Sequence, residues 1–198
     1  MNGQSQLAAY VGRIGKFDEQ ETVDFIKVFK EVKVKKRQFI VQPGFTAQHR
    51  YFVVKGALRA YVIGKGGEEH TIQLGVEDWW ISDYNSYIYQ QPATMFVIAL
   101  EDGILLQVSH DDESKLKSSS HKYETFFRTL AERSTASMQR RIIASLTQSA
   151  EERYEYFLET YPLLAERMPQ YVVASYLGMT TEFLSKIRNK RLPKKGSS

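Results

Sequence analysis

The first thirty residues carry apolar positions at helical spacing. Residues 4–30 are predicted to be helical, and Asp18 with Glu21 fits the Asp-x-x-Glu capping box that begins a helix. Apolar side chains then recur three to four residues apart, at Val23, Phe25, Ile26 and Phe29. The chain is therefore expected to open with amphipathic helical structure.

From Val32 the pattern changes to that of short strands. The stretch FIVQPGFTAQHRYFVVKGALRAYVIGKGGEEHTIQL is rich in β-branched and aromatic residues, and turn residues interrupt it at Pro43-Gly44, Gly56 and Gly64–Gly67. The stretch MFVIALEDGILLQVS (95–109) predicts two more strands about a Glu-Asp-Gly turn. Several short strands at close spacing predict an antiparallel sandwich or barrel.

The second half of the chain is predicted to be helical. Residues 120–146 contain neither Pro nor Gly, and their apolar residues form one stripe: Phe126, Phe127, Leu130, Met138, Ile142 and Leu146. A second capping box, Ser149 with Glu152, begins another helix, and two further helices follow. We divide the chain into a β-rich module (1–119), a long helix (120–147) and a compact helical module (148–198).

The stretch ASYLGMTTEFLSKIRNKR (174–191) has the spacing of a helix-turn-helix. Gly178 can adopt the left-handed conformation that the turn needs, and the small Ala174 lets two crossing helices approach. Thr180 is placed to cap the second helix. The inward positions are expected to be Val173, Leu177, Leu184 and Ile187. An ordinary helical hairpin that packs only on its own domain would also have a glycine turn.

The inward positions determine which side chains face outward. The residues expected to read base edges in the major groove are Thr180, Thr181, Glu182, Ser185 and Lys186. Glu182 can accept from cytosine N4, and Lys186 can donate to guanine O6 and N7. The residues expected to contact phosphates, which position a protein without specifying a sequence, are Arg188, Lys190 and Arg191.

Charge and composition narrow the possible functions. The formal net charge is +4, and from Glu182 onward one acidic residue stands against six Lys and Arg, which favours a nucleic-acid partner. The chain has no Cys, so disulfides and thiolate metal sites are excluded. The four His lack metal-ligand spacing, and no phosphate loop or Gly-x-Ser-x-Gly elbow is present.

No metal site and no enzymatic activity are therefore expected, and clustered His and Glu, which a cupin-like enzyme would need, are missing. The sequence predicts neither a signal peptide nor a membrane span, so we expect a cytoplasmic protein with no membrane partner.

Taken together, roughly residues 5–192 resemble the Crp/Fnr family of bacterial transcription regulators. FVVKGALRAYVI resembles a strand pair of the family's β-roll, and IALEDGILLQVS resembles its closing strands. SAEERYEYFLETYP and VVASYLGMTTEFLSKIRNK resemble the DNA-binding module of a subgroup associated with Bacteroidetes.

The resemblance implies an α+β fold. Its parts would be an N-terminal antiparallel β-roll (a double-stranded β-helix, cyclic-nucleotide-binding-like) with flanking helices, a long dimerisation helix, and a C-terminal winged-helix-like helix-turn-helix domain. It also implies a homodimer that reads a palindromic site in double-stranded DNA, with RNA polymerase as a partner. A long helix that packs only on its own β-roll is the alternative to dimerisation.

Many members of this family bind cyclic AMP in the β-roll, through a glycine–glutamate pair and an arginine. Aligned on the Ala-Leu-Glu-Asp ending of residues 77–102, the arginine position falls on Ala93 and the pair falls on Ile81-Ser82. Residues 66–114 contain neither Arg nor Lys, so a buried phosphate would lack a paired cation. We therefore predict that cyclic AMP does not bind in the family manner. No cofactor is predicted, and the effector is unknown.

The same segment is rich in aromatic residues. A pocket for an apolar or planar effector could be formed by Trp79, Trp80, Asp83, Tyr84 and Tyr87, with Asp83 as its polar anchor. We favour the alternative, in which the rings fill the roll and its contact with the long helix. For the whole chain, the alternative function is an effector-binding or scaffolding module whose helical tail contacts protein rather than DNA.

Overall fold

A computed structural model of the chain describes residues 2–191, with only the backbone of Arg191. The described chain forms two units. The first combines the residues up to Val62 with Ile72–Ala136, and the second combines Ile63–Thr71 with the residues from Ser137 onward. No helix among residues 2–191 is long and apolar enough to cross a membrane.

Two short helices precede the β-rich part, namely α1 (Gly3–Ile14) and α2 (Glu19–Lys27). The strands are β1 (Lys30–Val34), β2 (Phe39–Val41), β3 (His49–Lys55), β4 (Leu58–Ile63), β5 (Glu69–Gly75), β6 (Trp80–Ile81), β7 (Phe96–Ala99) and β8 (Gly103–Ser109). Helix α3 (Tyr84–Tyr89) lies between β6 and β7, and α4 (His110–Ser119) leads into α5 (His121–Thr147). The capping box of Asp18 and Glu21 is confirmed at the start of α2.

The strands form two four-stranded sheets, in the orders β1-β8-β3-β6 and β2-β7-β4-β5. The antiparallel β-roll expected from the sequence is confirmed. Consecutive strands often lie in different sheets, however. The Glu-Asp-Gly turn joins β7 of one sheet to β8 of the other, so the two strands predicted about it exist but do not pair as a hairpin.

The chain crosses between the sheets at two neighbouring glycines. Gly56, between β3 and β4, has a φ of +114°, which favours glycine over residues with a side chain. A Cβ atom on Gly103 would lie 2.6 Å from the carbonyl oxygen of Lys55, closer than van der Waals contact allows. The two crossings therefore require glycine, one for its backbone conformation and the other for the close approach of another backbone.

Strand β3 is buried on both faces because it lies between two apolar clusters. Phe52 and Val54 pack with α1, α2 and the start of α5. Tyr51 and Val53 point the other way, into the interior of the roll between the sheets. This alternation follows from the two-residue period of a strand.

Helix α5 begins and ends within one residue of the range predicted from the sequence. Its first ten residues bury Tyr123, Phe126, Phe127 and Leu130 in the core below the roll. The later apolar residues of α5 are exposed over at least half of their surface: Met138, Ile142, Ile143 and Leu146. The single stripe expected from the sequence thus has a buried first half and an exposed second half.

Within the described residues, the chain after α5 is wholly helical. Its helices are α6 (Ala150–Thr160), α7 (Pro162–Arg167), α8 (Gln170–Tyr176) and α9 (Thr181–Arg191). The capping box of Ser149 and Glu152 begins α6, as expected. The tip of the β4–β5 hairpin (63–71) belongs to the same unit. Ser175 Oγ on α8 accepts a hydrogen bond from the Thr71 N–H (2.8 Å) and donates one to the Glu69 carbonyl (2.7 Å).

Candidate nucleic-acid interface

Helices α8 and α9 are joined by a tight turn centred on Gly178. Gly178 has a φ of +69°, the left-handed conformation expected from the sequence. The carbonyl oxygen of Ala174 accepts a hydrogen bond from the N–H of Met179 at 3.0 Å, which closes the end of α8. The Thr180 hydroxyl accepts from the N–H of Phe183 at 3.1 Å, which confirms Thr180 as the cap of α9.

The inner face of the two helices is apolar and buried. Leu184 and Ile187 of α9 are 1% and 3% exposed. The helical unit also buries other apolar residues: Tyr154, Phe157, Leu164, Met168, Val172, Val173 and Ala174. Leu177, which we expected among the inward positions, is only half-buried because it ends α8 at the turn.

The outer face of α9 is polar. Thr180, Glu182 and Lys186 are exposed, and Thr181 and Ser185 are half-buried. Hydrogen bonds from the backbone N–H of Glu182 itself and from the Thr180 hydroxyl lower the pKa of the Glu182 carboxyl. Glu182 is therefore an anion at neutral pH and presents acceptors to its surroundings.

The expected phosphate contacts lie toward the end of α9. Arg188 and Lys190 are exposed. Lys190 Nζ lies 2.9 Å from Glu151 Oε1 at the start of α6, and both side chains remain largely open to solvent. The side chain of Arg191 lies outside the described residues. Glu151 would therefore compete with a phosphate for the Lys190 ammonium.

Two residues near this surface were missed by the sequence reasoning. Phe183 is 44% exposed beside the outer face of α9, where an aromatic ring could meet a thymine methyl group. Gln170, the first residue of α8, directs its amide toward α9. A large ring at the edge of the apolar stripe was a usable signal for Phe183, but nothing in the sequence pattern pointed to Gln170.

Asp83, the polar anchor of the possible effector pocket, is wholly buried, and its carboxylate accepts three backbone hydrogen bonds. Its Oδ1 accepts from the Ser86 N–H at 3.0 Å, which caps α3. Its Oδ2 accepts from the N–H groups of Thr94 (2.8 Å) and Met95 (3.0 Å). Asp83 thereby holds both ends of the segment between β6 and β7.

The aromatic residues of this segment divide between the two cores. Tyr87 is fully buried in the interior of the roll, and its hydroxyl donates to Glu113 at 3.0 Å. Trp80 packs against the other cluster, and Tyr84 is 42% exposed. Trp79 is half-buried. Burial first, and then the charge of Glu113, raise the pKa of Tyr87, so its hydroxyl stays protonated.

A buried guanidinium connects these rings. Arg50 is buried, and its guanidinium lies over the rings of Trp80 (4.8 Å), Tyr84 (5.4 Å) and Phe127 (5.5 Å). The region considered as a possible effector pocket therefore contains an arginine of the chain itself, supplied by β3. In residues 2–191, no group of three or more His, Asp or Glu could hold a metal ion.

The chain resembles a known protein family in sequence and several solved structures in fold. Residues 31–119 match the family model of the cyclic nucleotide-binding domain. No curated protein sequence matches the chain.

Three solved structures illustrate the shared fold. FixK2 from Bradyrhizobium japonicum superimposes with a TM-score of 0.72 at 17% identity, over 86% of this chain and 90% of FixK2. The c-di-GMP-responsive global regulator CLP of Xanthomonas campestris gives a TM-score of 0.68 at 13% identity, over 87% and 91% of the two chains. The catabolite activator protein of Thermus thermophilus gives 0.55 at 18% identity, over 88% and 84%.

These likenesses extend over both units of the chain and not only over the β-roll. Residues 31–119 thus resemble a cyclic nucleotide-binding domain, in a chain that has the fold of Crp/Fnr-type transcription regulators.

Proposed function

We propose that the chain is a sequence-specific DNA-binding transcriptional regulator of the Crp/Fnr type, within the Bacteroidetes-like subgroup that its helical module resembles. The observation that carries the proposal is the two-faced character of α9. One face buries Leu184 and Ile187 around the Gly178 turn, and the other presents Glu182, Lys186 and Arg188 to solvent. A second helix with this polarity is what enters the major groove in a helix-turn-helix protein.

Binding to random-sequence duplex DNA across a salt series tests this proposal. We expect affinity at low salt and a linear fall of log K with log salt, with a slope of about −0.9 for each phosphate neutralised. Replacing Arg188 with Gln should reduce that slope. A chain with no affinity for duplex DNA even at low salt would instead favour a scaffolding or effector-binding module whose helices contact protein.

We further propose that the regulator acts as a homodimer through the second half of α5. The four exposed apolar side chains of that segment lie within nine residues of one helix, which supports a helix-to-helix contact with a second copy. Arg141, which interrupts the stripe in the sequence, has its guanidinium 4.5 Å from the ring of Tyr176 instead. A two-fold dimer would place two copies of α9 about 34 Å apart and read a palindromic site, with RNA polymerase as a further partner.

Cyclic AMP is not the expected effector. The oxygens of Asp83 are occupied by backbone N–H groups, and Ala93 offers only a methyl group where a cation would be needed. The guanidinium of Arg50 is already paired with Glu113. Isothermal titration calorimetry should therefore detect no cyclic AMP binding at micromolar concentration, and a micromolar dissociation constant would refute this part of the proposal.

A further inference from the structure

The side chain of Gln170 connects the first helix of the helix-turn-helix to the face of the second that is proposed to read DNA. Its Nε2 donates to Ser185 Oγ at 2.5 Å, and lies 3.4 Å from the carbonyl oxygen of Thr181. A carbonyl oxygen can only accept, so the amide nitrogen of Gln170, and not its oxygen, faces α9. Ser185 is consequently the acceptor in this pair.

This bond determines what the Ser185 hydroxyl can offer to a ligand. A serine hydroxyl has one donor and two acceptor positions, and Gln170 occupies an acceptor position. The hydroxyl hydrogen is left to point away from Gln170. Ser185 is half-buried, and it lies one turn from Glu182 and next to Lys186, both of which are exposed.

We propose that Gln170 is a positioning residue for base recognition, which holds the Ser185 hydroxyl as a hydrogen-bond donor. This inference rests on the DNA-binding function proposed above and adds a specificity to it. Ser185 would prefer a base that presents an acceptor in the major groove, such as guanine (O6, N7), adenine (N7) or thymine (O4). Cytosine, which presents an amino donor there, would be disfavoured.

The test begins with selection of the preferred duplex by the full-length wild-type chain from a random pool. The affinity for that duplex is then compared with the affinities for duplexes changed at one base pair at a time. The variants are Gln170→Ala, Gln170→Glu, Ser185→Ala and the double variant Gln170→Ala with Ser185→Ala. Gln148→Ala, an exposed glutamine of the same unit, is the matched control. Circular dichroism melting of every variant checks that the fold is kept.

We expect Gln170→Ala and Ser185→Ala each to reduce discrimination about tenfold, at the same base pair of each half-site and at no other. The double variant should reduce discrimination no more than either single variant does, because both residues act through the Ser185 hydroxyl. In Gln170→Glu, the carboxylate would accept a hydrogen bond from the Ser185 hydroxyl, whereas the Gln170 amide donates one to it. Ser185 would then present an acceptor to the DNA, and the base preference should shift toward cytosine.

Three results would overturn the inference. They are a uniform loss of affinity for all duplexes in Gln170→Ala, additive effects in the double variant, and an unchanged base preference in Gln170→Glu. Failure of the wild-type chain to bind any duplex would refute the proposed function itself, and is therefore distinguishable from these results.

Discussion

Arg50 and Glu113 form an ion pair from which solvent is almost excluded. Arg50 Nη1 lies 3.3 Å from Glu113 Oε2, and the two side chains are 8% and 2% exposed. The carboxylate also accepts from the Tyr87 hydroxyl and pairs with Lys117 of the next helical turn. One buried carboxylate thus joins β3, α3 and α4, while the guanidinium lies against Phe127 of α5.

Removing either charge should destabilise the first unit strongly. Arg50→Met is expected to lower the free energy of unfolding by about 3 kcal/mol, because it leaves Glu113 buried with fewer partners. Lys35→Met is the matched control, since the Lys35–Asp102 pair is exposed and such pairs contribute about 0–1 kcal/mol. Urea unfolding measures both values. Equal losses in the two variants would contradict the assignment of Arg50 as a buried pairing residue.

Asp83 is expected to act as a structural residue of the segment between β6 and β7. Asp83→Asn replaces one accepting oxygen by a donor opposite backbone N–H groups, and should cost about 2–3 kcal/mol in thermal or urea unfolding. Ser109→Ala, which removes an N-cap with a single backbone partner, should cost only about 1 kcal/mol. An Asp83→Asn variant as stable as the wild type would contradict this structural role.

His49 should make stability dependent on pH in the mildly acidic range. Burial of the ring, and then the charge of Lys30, lower the pKa of His49 from its usual 6.5, while Asp112 opposes them. Between 6.5 and the lower folded value, the unfolded chain binds a proton that the folded chain does not, so stability falls as pH falls through that window. Urea unfolding at pH 7.5 and at pH 5.5 should show a smaller difference for His49→Gln than for the wild type. Identical differences would exclude His49 as the cause.

The exposed stripe of α5 should control the oligomeric state. Ile142→Glu places a charge in the proposed two-fold contact and should convert the dimer to a monomer in light scattering at micromolar concentration. Val23→Glu changes an aliphatic residue of similar exposure on α2 and serves as the control, which should stay dimeric. A wild-type chain that is already monomeric would contradict the dimer.

The contact between Lys190 and Glu151 should modulate affinity for DNA. Lys190→Gln is expected to reduce the slope of log K against log salt by at most about one, because Glu151 competes with a phosphate for the Lys190 ammonium. Glu151→Gln releases the cation and should raise affinity for all duplexes alike. A change in base preference in either variant would mean that Lys190 reads bases rather than phosphates.

Much of this fold follows from local patterns in the sequence. The two capping boxes, the extent of α5 and the turn at Gly178 each depend on residues within a few positions of one another. The assignment of strands to sheets could not be predicted from the sequence, because pairing across a roll depends on contacts between residues that are distant in the chain. The Glu-Asp-Gly sequence between β7 and β8 looks like a hairpin turn, although it carries the chain from one sheet to the other.

At the candidate site, too, only the features that depend on local spacing could be predicted from the sequence. The spacing of Leu184 and Ile187 correctly predicted which face of α9 is buried, since helical spacing alone separates the inner face from the outer one. The partners of its polar residues could not be predicted. Gln170 is fifteen residues before Ser185, and Arg50 is sixty-three residues before Glu113. Only the packing of separate elements brings these groups together.

The tip of the β4–β5 hairpin has a practical consequence for dividing the protein. Ser175 on α8 takes its Thr71 and Glu69 partners from residues 63–71, a segment in the middle of the β-roll sequence, with β1–β3 before it and β6–β8 after it. A fragment expressed from residue 137 onward would lose those partners. A sensor fragment ending at residue 136 would keep the β4–β5 hairpin without the helical unit to which the tip of that hairpin belongs. The two units are interleaved in the sequence, so a single cut cannot make either of them into a free-standing module for fusion or exchange.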